Sequence, residues 1–124
     1  MALPSRSYAD VLVLAPKGRI DHDNCEAFHA DLQPHVDACS ASKQAIVFDL
    51  SALDYVSSAG LRCFMIAARQ GKAQGTRIAV AALQPVVAEI FQISRFNMVF
   101  PVFGSLREAI GSVSPAALEA FGRG

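Results

Sequence analysis

Three short apolar runs, Val11 to Ala15 (VLVLA), Ala45 to Leu50 (AIVFDL) and Ile78 to Leu83 (IAVAAL), recur at near-even spacing along the chain. Between them lie segments whose apolar residues repeat at helical intervals. A continuous apolar run of this length is the pattern of a strand buried on both faces. Parallel strands need a crossover between them, and a helix is the usual one. The alternation therefore predicts an α/β fold: a mixed sheet of four or five strands with helices mostly on one side.

Local signals fill in the order. Lys17-Gly18 turns the chain after the first run, and Arg19-Ile20 can open a second short strand. Asp23 stands three residues before Glu26, the spacing of a capping box. Phe28, Leu32, Val36 and Cys39 follow on one face, predicting a helix over Asn24 to about Ala38, which Pro34 should kink or locally break. After the central strand Ala45–Leu50, a connection over Ser51–Val56 reaches Ser57-Ser58-Ala59-Gly60. Leu61, Phe64 or Met65, and Ala68 then predict a second helix ending near Gly71. Pro85 fits the first turn of a third helix, with Val86, Ile90 and Ile93 as its inner face. Val99–Phe103 reads as a last short strand. Ser105 and Glu108 form another capping-box pair, and Val113–Phe121 reads as a terminal helix.

Composition narrows the function. The chain has 124 residues, the size of one domain, and we expect a single unit over 1–124 with its core at about 9–111 and a short extension over 112–124. Hydrophobic residues make up 52% and charged residues 18%, too apolar for disorder. Eleven basic residues balance eleven acidic ones, so there is no electrostatic footprint for nucleic acid and no polybasic membrane patch. No apolar run approaches the roughly 20 residues that span a bilayer. Met1–Tyr8 lacks the pattern of a secretory signal, which makes the cytoplasm the expected address. Cys25, Cys39 and Cys63 are odd in number, without C-x-x-C spacing, and read as reduced, partly buried thiols.

The stretch with chemical content is Asp49 to Arg62 (DLSALDYVSSAGLR). A strand ends, a polar loop follows, and two serines sit where a helix begins. Amide groups in the first helical turn lack partners within the helix, and together with the helix dipole they favour an anion. Gly60 keeps the backbone beside the serines uncrowded. A phosphate on Ser58 would be tolerated there, and would place about −1.5 to −2 charge on the surface beside Asp54. Taken alone, the residues favour a plainer role, since serines at helix starts are usually N-caps.

The stretch resembles the signature of STAS domains, the fold of bacterial anti-sigma factor antagonists, which runs Asp-Leu/Phe-Ser-x-Leu-x-Phe/Tyr-hydrophobic-Asp/Ser-Ser-Ser/Thr/Ala-Gly-Leu. Gly18-Arg19-Ile20-Asp21 is similar to the family's Gly-x-Leu/Ile-Asp, and the element order agrees from about Val11 to Ile110. The resemblance implies that Ser58 is the phosphoacceptor and that Asp21, Asp54, Ser57, Ala59 and Gly60 shape a partner-binding surface around it. It implies two partners, an anti-sigma factor serine kinase and a serine phosphatase. The kinase would bind the unphosphorylated domain, then phosphorylate it and release it. Nucleotide and magnesium would belong to the kinase, so no cofactor is expected in this chain, and a homodimer is compatible with the resemblance. Ser57 stands where many antagonists have aspartate, and Ala59 where many have serine or threonine. These departures bear on which kinase acts more than on the fold. A second role implied by the resemblance is an accessory subunit of a membrane lipid transporter or larger signalling assembly, without phosphate turnover.

Other candidates are weaker. His22, Cys25 and His29 fall on roughly one helical face, the arrangement of a zinc triad, but no matching ligands occur elsewhere. Surface histidines beside a packed cysteine account for them. Cys63, one turn past Ser58, has no protease or oxidoreductase context and reads as a core thiol. There is no G-x-S-x-G and no Walker loop, so we expect no enzyme. Gln92–Phe100 (QISRFNMVF) is apolar enough to present Phe96, Met98 and Phe100 to a partner, although core packing is the ordinary explanation.

Overall fold

The computed structural model describes residues 3–122. Five strands form a mixed sheet in the order β1 (Ser5–Tyr8), β2 (Val11–Leu14), β4 (Ala45–Asp49), β6 (Ile78–Ala81) and β7 (Val102–Phe103). β1 is antiparallel to β2, and the other pairs are parallel, with Val13 opposite Val47 and Val47 opposite Ala79. β3 (Gly18–Ile20) and β5 (Leu53–Val56) leave this sheet and pair in parallel with each other, Ile20 opposite Val56. The helices are α1 (Cys25–Ser42), α2 (Ser58–Gln74), α3 (Pro85–Ile93), α4 (Leu106–Val113) and α5 (Pro115–Gly122).

The apolar runs are strands because both of their faces are buried. Side chains alternate across a strand, so Leu12, Leu14, Ile46, Phe48 and Val80 face a core shared with α1, α2 and α3. Val11, Val13, Val47, Ala79 and Ala81 face a smaller core closed by α4 and α5. The three longer helices thus share one side, and the two short C-terminal ones take the other. At the centre of the larger core, the Phe64 ring lies 5.4 Å from Phe28, 5.1 Å from Phe48 and 6.0 Å from Phe91, centroid to centroid. This cluster joins α1, α2, α3 and β4.

Several expectations need correcting. α1 runs on through Pro34 to Ser42, since Leu32, Val36 and Cys39 are buried on either side of the exposed proline and hold the turn by packing. Its cap is Asn24, and the Asp23–Glu26 box is not formed: Asn24 Oδ1 instead accepts the Asp21 amide at 2.8 Å. The connection before Ser57 contains β5. α2 continues past Gly71 to Gln74, where Gly75 at φ 75° takes the left-handed turn that ends it. Pro85 does open α3, but the helix buries Val87 and Phe91 and leaves Val86 and Ile93 exposed. Ser105 caps α4, its hydroxyl accepting the Glu108 amide.

Candidate functional site

The two serines at the start of α2 do different things. Ser57 is the N-cap: its backbone is extended, and its hydroxyl accepts the Gly60 amide at 3.3 Å. Its own amide donates to the Ile20 carbonyl at 2.9 Å, which ties the helix start to β3. Ser58 is the first helical residue and is exposed, and its hydroxyl makes no hydrogen bond among the described residues. The cap role that competes for any serine at a helix start is already filled by its neighbour. The Ser58 and Ala59 amides, at the first two helical positions, are donors that the helix cannot use.

Gly60 is buried, and its contribution is proximity. A Cβ there would stand 2.7 Å from Val56 Cγ2 and 2.9 Å from the Ile20 carbonyl oxygen. Only a residue without a side chain lets α2 begin this close to the β3–β5 pair. That pairing brings the ends of the two strands up beside Ser58.

Asp21 follows β3 and organises the next turn. One carboxylate oxygen accepts the Asp23 amide at 3.0 Å, and the other takes Arg19 Nε at 3.1 Å. The Arg19 guanidinium also lies over the Tyr55 ring, 5.0 Å from its centroid. Asp54, on β5, is exposed and accepts from Gln84 Nε2 at 3.2 Å, while the same amide group reaches the Ser51 carbonyl at 2.8 Å. β3, β5, the α2 start and the residue before α3 are thereby joined by named bonds and close packing. Sequence reasoning missed Arg19, Tyr55 and Gln84. Two of them carried a signal: Tyr55 fills the aromatic position of the signature, and Gln84 precedes a helix-opening proline.

A family model described as the STAS domain matches residues 3–109. The chain belongs to the STAS domain family. A relative from Bordetella bronchiseptica, BtrV, provisionally assigned as an anti-sigma factor antagonist, is 36% identical over 108 residues, covering 87% of this chain and 90% of BtrV. Among solved structures, a provisionally assigned anti-sigma factor antagonist of Thermotoga maritima superimposes with a TM-score of 0.81 at 16% identity, over 90% of this chain and 93% of that one. The antagonist SpoIIAA is similar in an unphosphorylated and in a phosphorylated form. The unphosphorylated form has a TM-score of 0.71 at 20% identity, over 90% of this chain and 96% of that one. The phosphorylated Bacillus form has a TM-score of 0.66 at 19% identity, over 91% of this chain and all of that one, 100%.

In this STAS domain the remaining candidates fall beside α2. His22, Cys25 and His29 line one cleft with Ala59 and Arg62, between the starts of α1 and α2. Among the described residues no group of three histidine, cysteine or acidic side chains is placed to hold a metal ion. Cys63 is buried, its Sγ 3.4 Å from the Cys25 carbonyl oxygen and 3.7 Å from that of Ala59. Burial, and secondarily the neighbouring Cys25, push its thiol above the ordinary range, opposite to what a reactive nucleophile needs. Phe96 and Phe100 pack in the core, whereas Met98 between them is exposed.

Proposed function

We propose that this STAS domain is an anti-sigma factor antagonist whose partner-binding face is centred on Ser58 and is switched by phosphorylation there. The observation that carries the reading is the division of labour at the helix start: Ser57 makes the cap, and the adjacent exposed Ser58 hydroxyl is left unused. The kinship with BtrV and the fold shared with SpoIIAA, solved with and without phosphate, support it.

In the unphosphorylated state Asp21, Asp54, Ser57, Ser58 and Ala59, all at least partly exposed, form the face offered to an anti-sigma factor that is itself a serine kinase. Gly60 supports that surface from beneath. In the phosphoryl step Ser58 Oγ attacks the γ-phosphorus of the kinase's ATP. The new O–P bond forms as the bond to ADP breaks, and the serine proton passes to a base of the kinase. The product dianion sits at the positive end of the α2 dipole, so the domain itself tolerates it. The partner then meets a bulky charge where it had accepted a hydroxyl, and dissociates. A serine phosphatase resets the surface by hydrolysis.

Intact-mass and site-mapping spectrometry of the protein purified from its host, beside Ser58→Ala, tests this. Phosphate on Ser58 that is lost in the variant supports the switch. Phosphate on Ser57 moves the acceptor by one residue. Its absence under growth and stress, with a constant partner co-purifying, replaces the switch with a constitutive accessory subunit.

A further inference from the structure

We propose that the outer face of α2 beyond Ser58 is a groove that docks an acidic amphipathic helix of the partner, an inference that rests on the partner-binding reading above. Two shallow depressions line this face. One, of about 440 Å³, begins at Ser58 and Arg62, and the other, of about 480 Å³, ends at Lys72, Met98 and Val99. They share Met65 and Arg69, so they form one furrow. From Arg62 to Lys72 it is about 15 Å long, at the helical rise of about 1.5 Å per residue.

The walls are cationic. Arg62, Arg69 and Lys72 are exposed, and α2 contains no carboxylate. No carboxylate lines either depression. None of the three cations makes an ion pair among the described residues. The chain as a whole is charge-balanced, eleven against eleven, so this strip is a local segregation of charge.

The floor and lip are apolar. Ile66 is 40% exposed, Val99 43% and Met98 82%. Met98 stands out because the turn Phe96–Met98 is anchored by rings on both sides: Phe96 lies 5.5 Å and Phe100 6.4 Å from the buried Phe91. A methionine held at a groove lip is suited to adapting to an apolar partner face. An amphipathic helix with an acidic margin satisfies both the floor and the walls. A concave furrow of this length fits a helix better than the flat surface of a membrane.

The groove also gives the phosphate a second way to act. Ser58 and Arg62 are four residues apart on α2 and share one face. A phosphate on Ser58 takes Arg62 as its own counter-ion and adds negative charge at the mouth of the groove. The acidic helix then loses one cation and is repelled by the new dianion.

The test is calorimetric titration of the full-length protein with the purified anti-sigma factor kinase of its host, at low and high salt. Arg69→Glu/Lys72→Glu and Met98→Asp are compared with wild type. Arg107→Glu, on α4 across the sheet, serves as the control, and circular dichroism confirms that each variant is folded. The double reversal should weaken binding by about tenfold or more and flatten its salt dependence, and Met98→Asp should weaken it several-fold. Affinities within about twofold of wild type for both variants, with binding still abolished by Ser58→Glu, would overturn the groove and leave the Ser58 reading standing. No binding by wild type would instead overturn that reading. Two further results, each with kinase affinity intact, also defeat the proposal. Altered sedimentation of the double variant would assign the furrow to a second copy of the chain. Loss of binding to vesicles containing phosphatidylserine would assign it to a lipid surface.

Discussion

Gly60 lies so close to Ile20 that a Cβ built on it would stand 2.8 Å from Ile20 Cγ2 and 2.9 Å from the Ile20 carbonyl oxygen. The oxygen belongs to backbone that also receives the Ser57 amide, so it has little freedom to retreat. Alanine gains about 1 kcal/mol of helix propensity over glycine, but overpacking at such a contact costs about 1–3 kcal/mol. We expect the clash to win. Gly60→Ala should lower the urea midpoint, and an unchanged or raised midpoint would show that β3 has room to move.

The adjacent serines should separate cleanly by stability. Ser57→Ala removes the acceptor for the Gly60 amide and should cost about 0.5–2 kcal/mol, the usual effect of losing an N-cap. Ser58→Ala touches no bond in the fold and should stay within about 0.5 kcal/mol of wild type. Equal losses in denaturant titrations would mean that both hydroxyls support the helix.

A negative charge at Ser58 should leave the domain folded. Ser58→Asp places a carboxylate in the first turn of α2, where the dipole contributes about 0.3–1 kcal/mol at low salt, with Arg62 one turn further on. Thermal melts should show stability equal to or slightly above wild type in dilute buffer, with any gain fading in concentrated salt. A clear loss would point to repulsion from Asp54 and Asp21 as the stronger effect.

The thiols offer a pH test. Burial pushes Cys39 up, and burial with Cys25 nearby pushes Cys63 up. A raised folded value means the unfolded chain releases its proton first as pH rises. The stability these thiols contribute is therefore whole below the unfolded thiol value of about 8.5 and is lost as pH climbs through the raised folded values. Alkylation at about pH 8 should label half-buried Cys25 well before Cys39 or Cys63. Denaturation midpoints should fall on the alkaline side less steeply in Cys39→Ala than in wild type.

The central strands were legible because two-sided burial writes a continuous apolar run, as in Val11–Leu14. β1 was not, since Ser5–Tyr8 is a largely exposed edge held to β2 by backbone pairing, with little apolar pattern to read. β5 hid for a related reason: Leu53 and Val56 face inward while Asp54 and Tyr55 between them face out, which breaks strict alternation. α3 is apolar nearly all round, so periodicity could not choose Val87 and Phe91 over Val86 and Ile93. At the site, the position of Ser58 at a helix start could be read from the chain. Its release from capping could not, because that depends on which of two neighbouring hydroxyls meets the Gly60 amide. The links from Asp54 to Gln84 and from Arg19 to Tyr55 cross between elements, and no local spacing encodes them.

The β3–β5 pair has a kinetic corollary. Its hydrogen bonds and close packing hold the α2 start, the α1 start and Asp54 on β5 in one frame before any partner arrives. A surface shaped in advance forfeits little chain freedom on association. Its encounters succeed at rates set by diffusion and orientation, and variation among its complexes falls on how long each one lasts. On the proposed switch, a modification at Ser58 is then expected to act on the lifetime of a complex and to leave the fold of the domain unchanged.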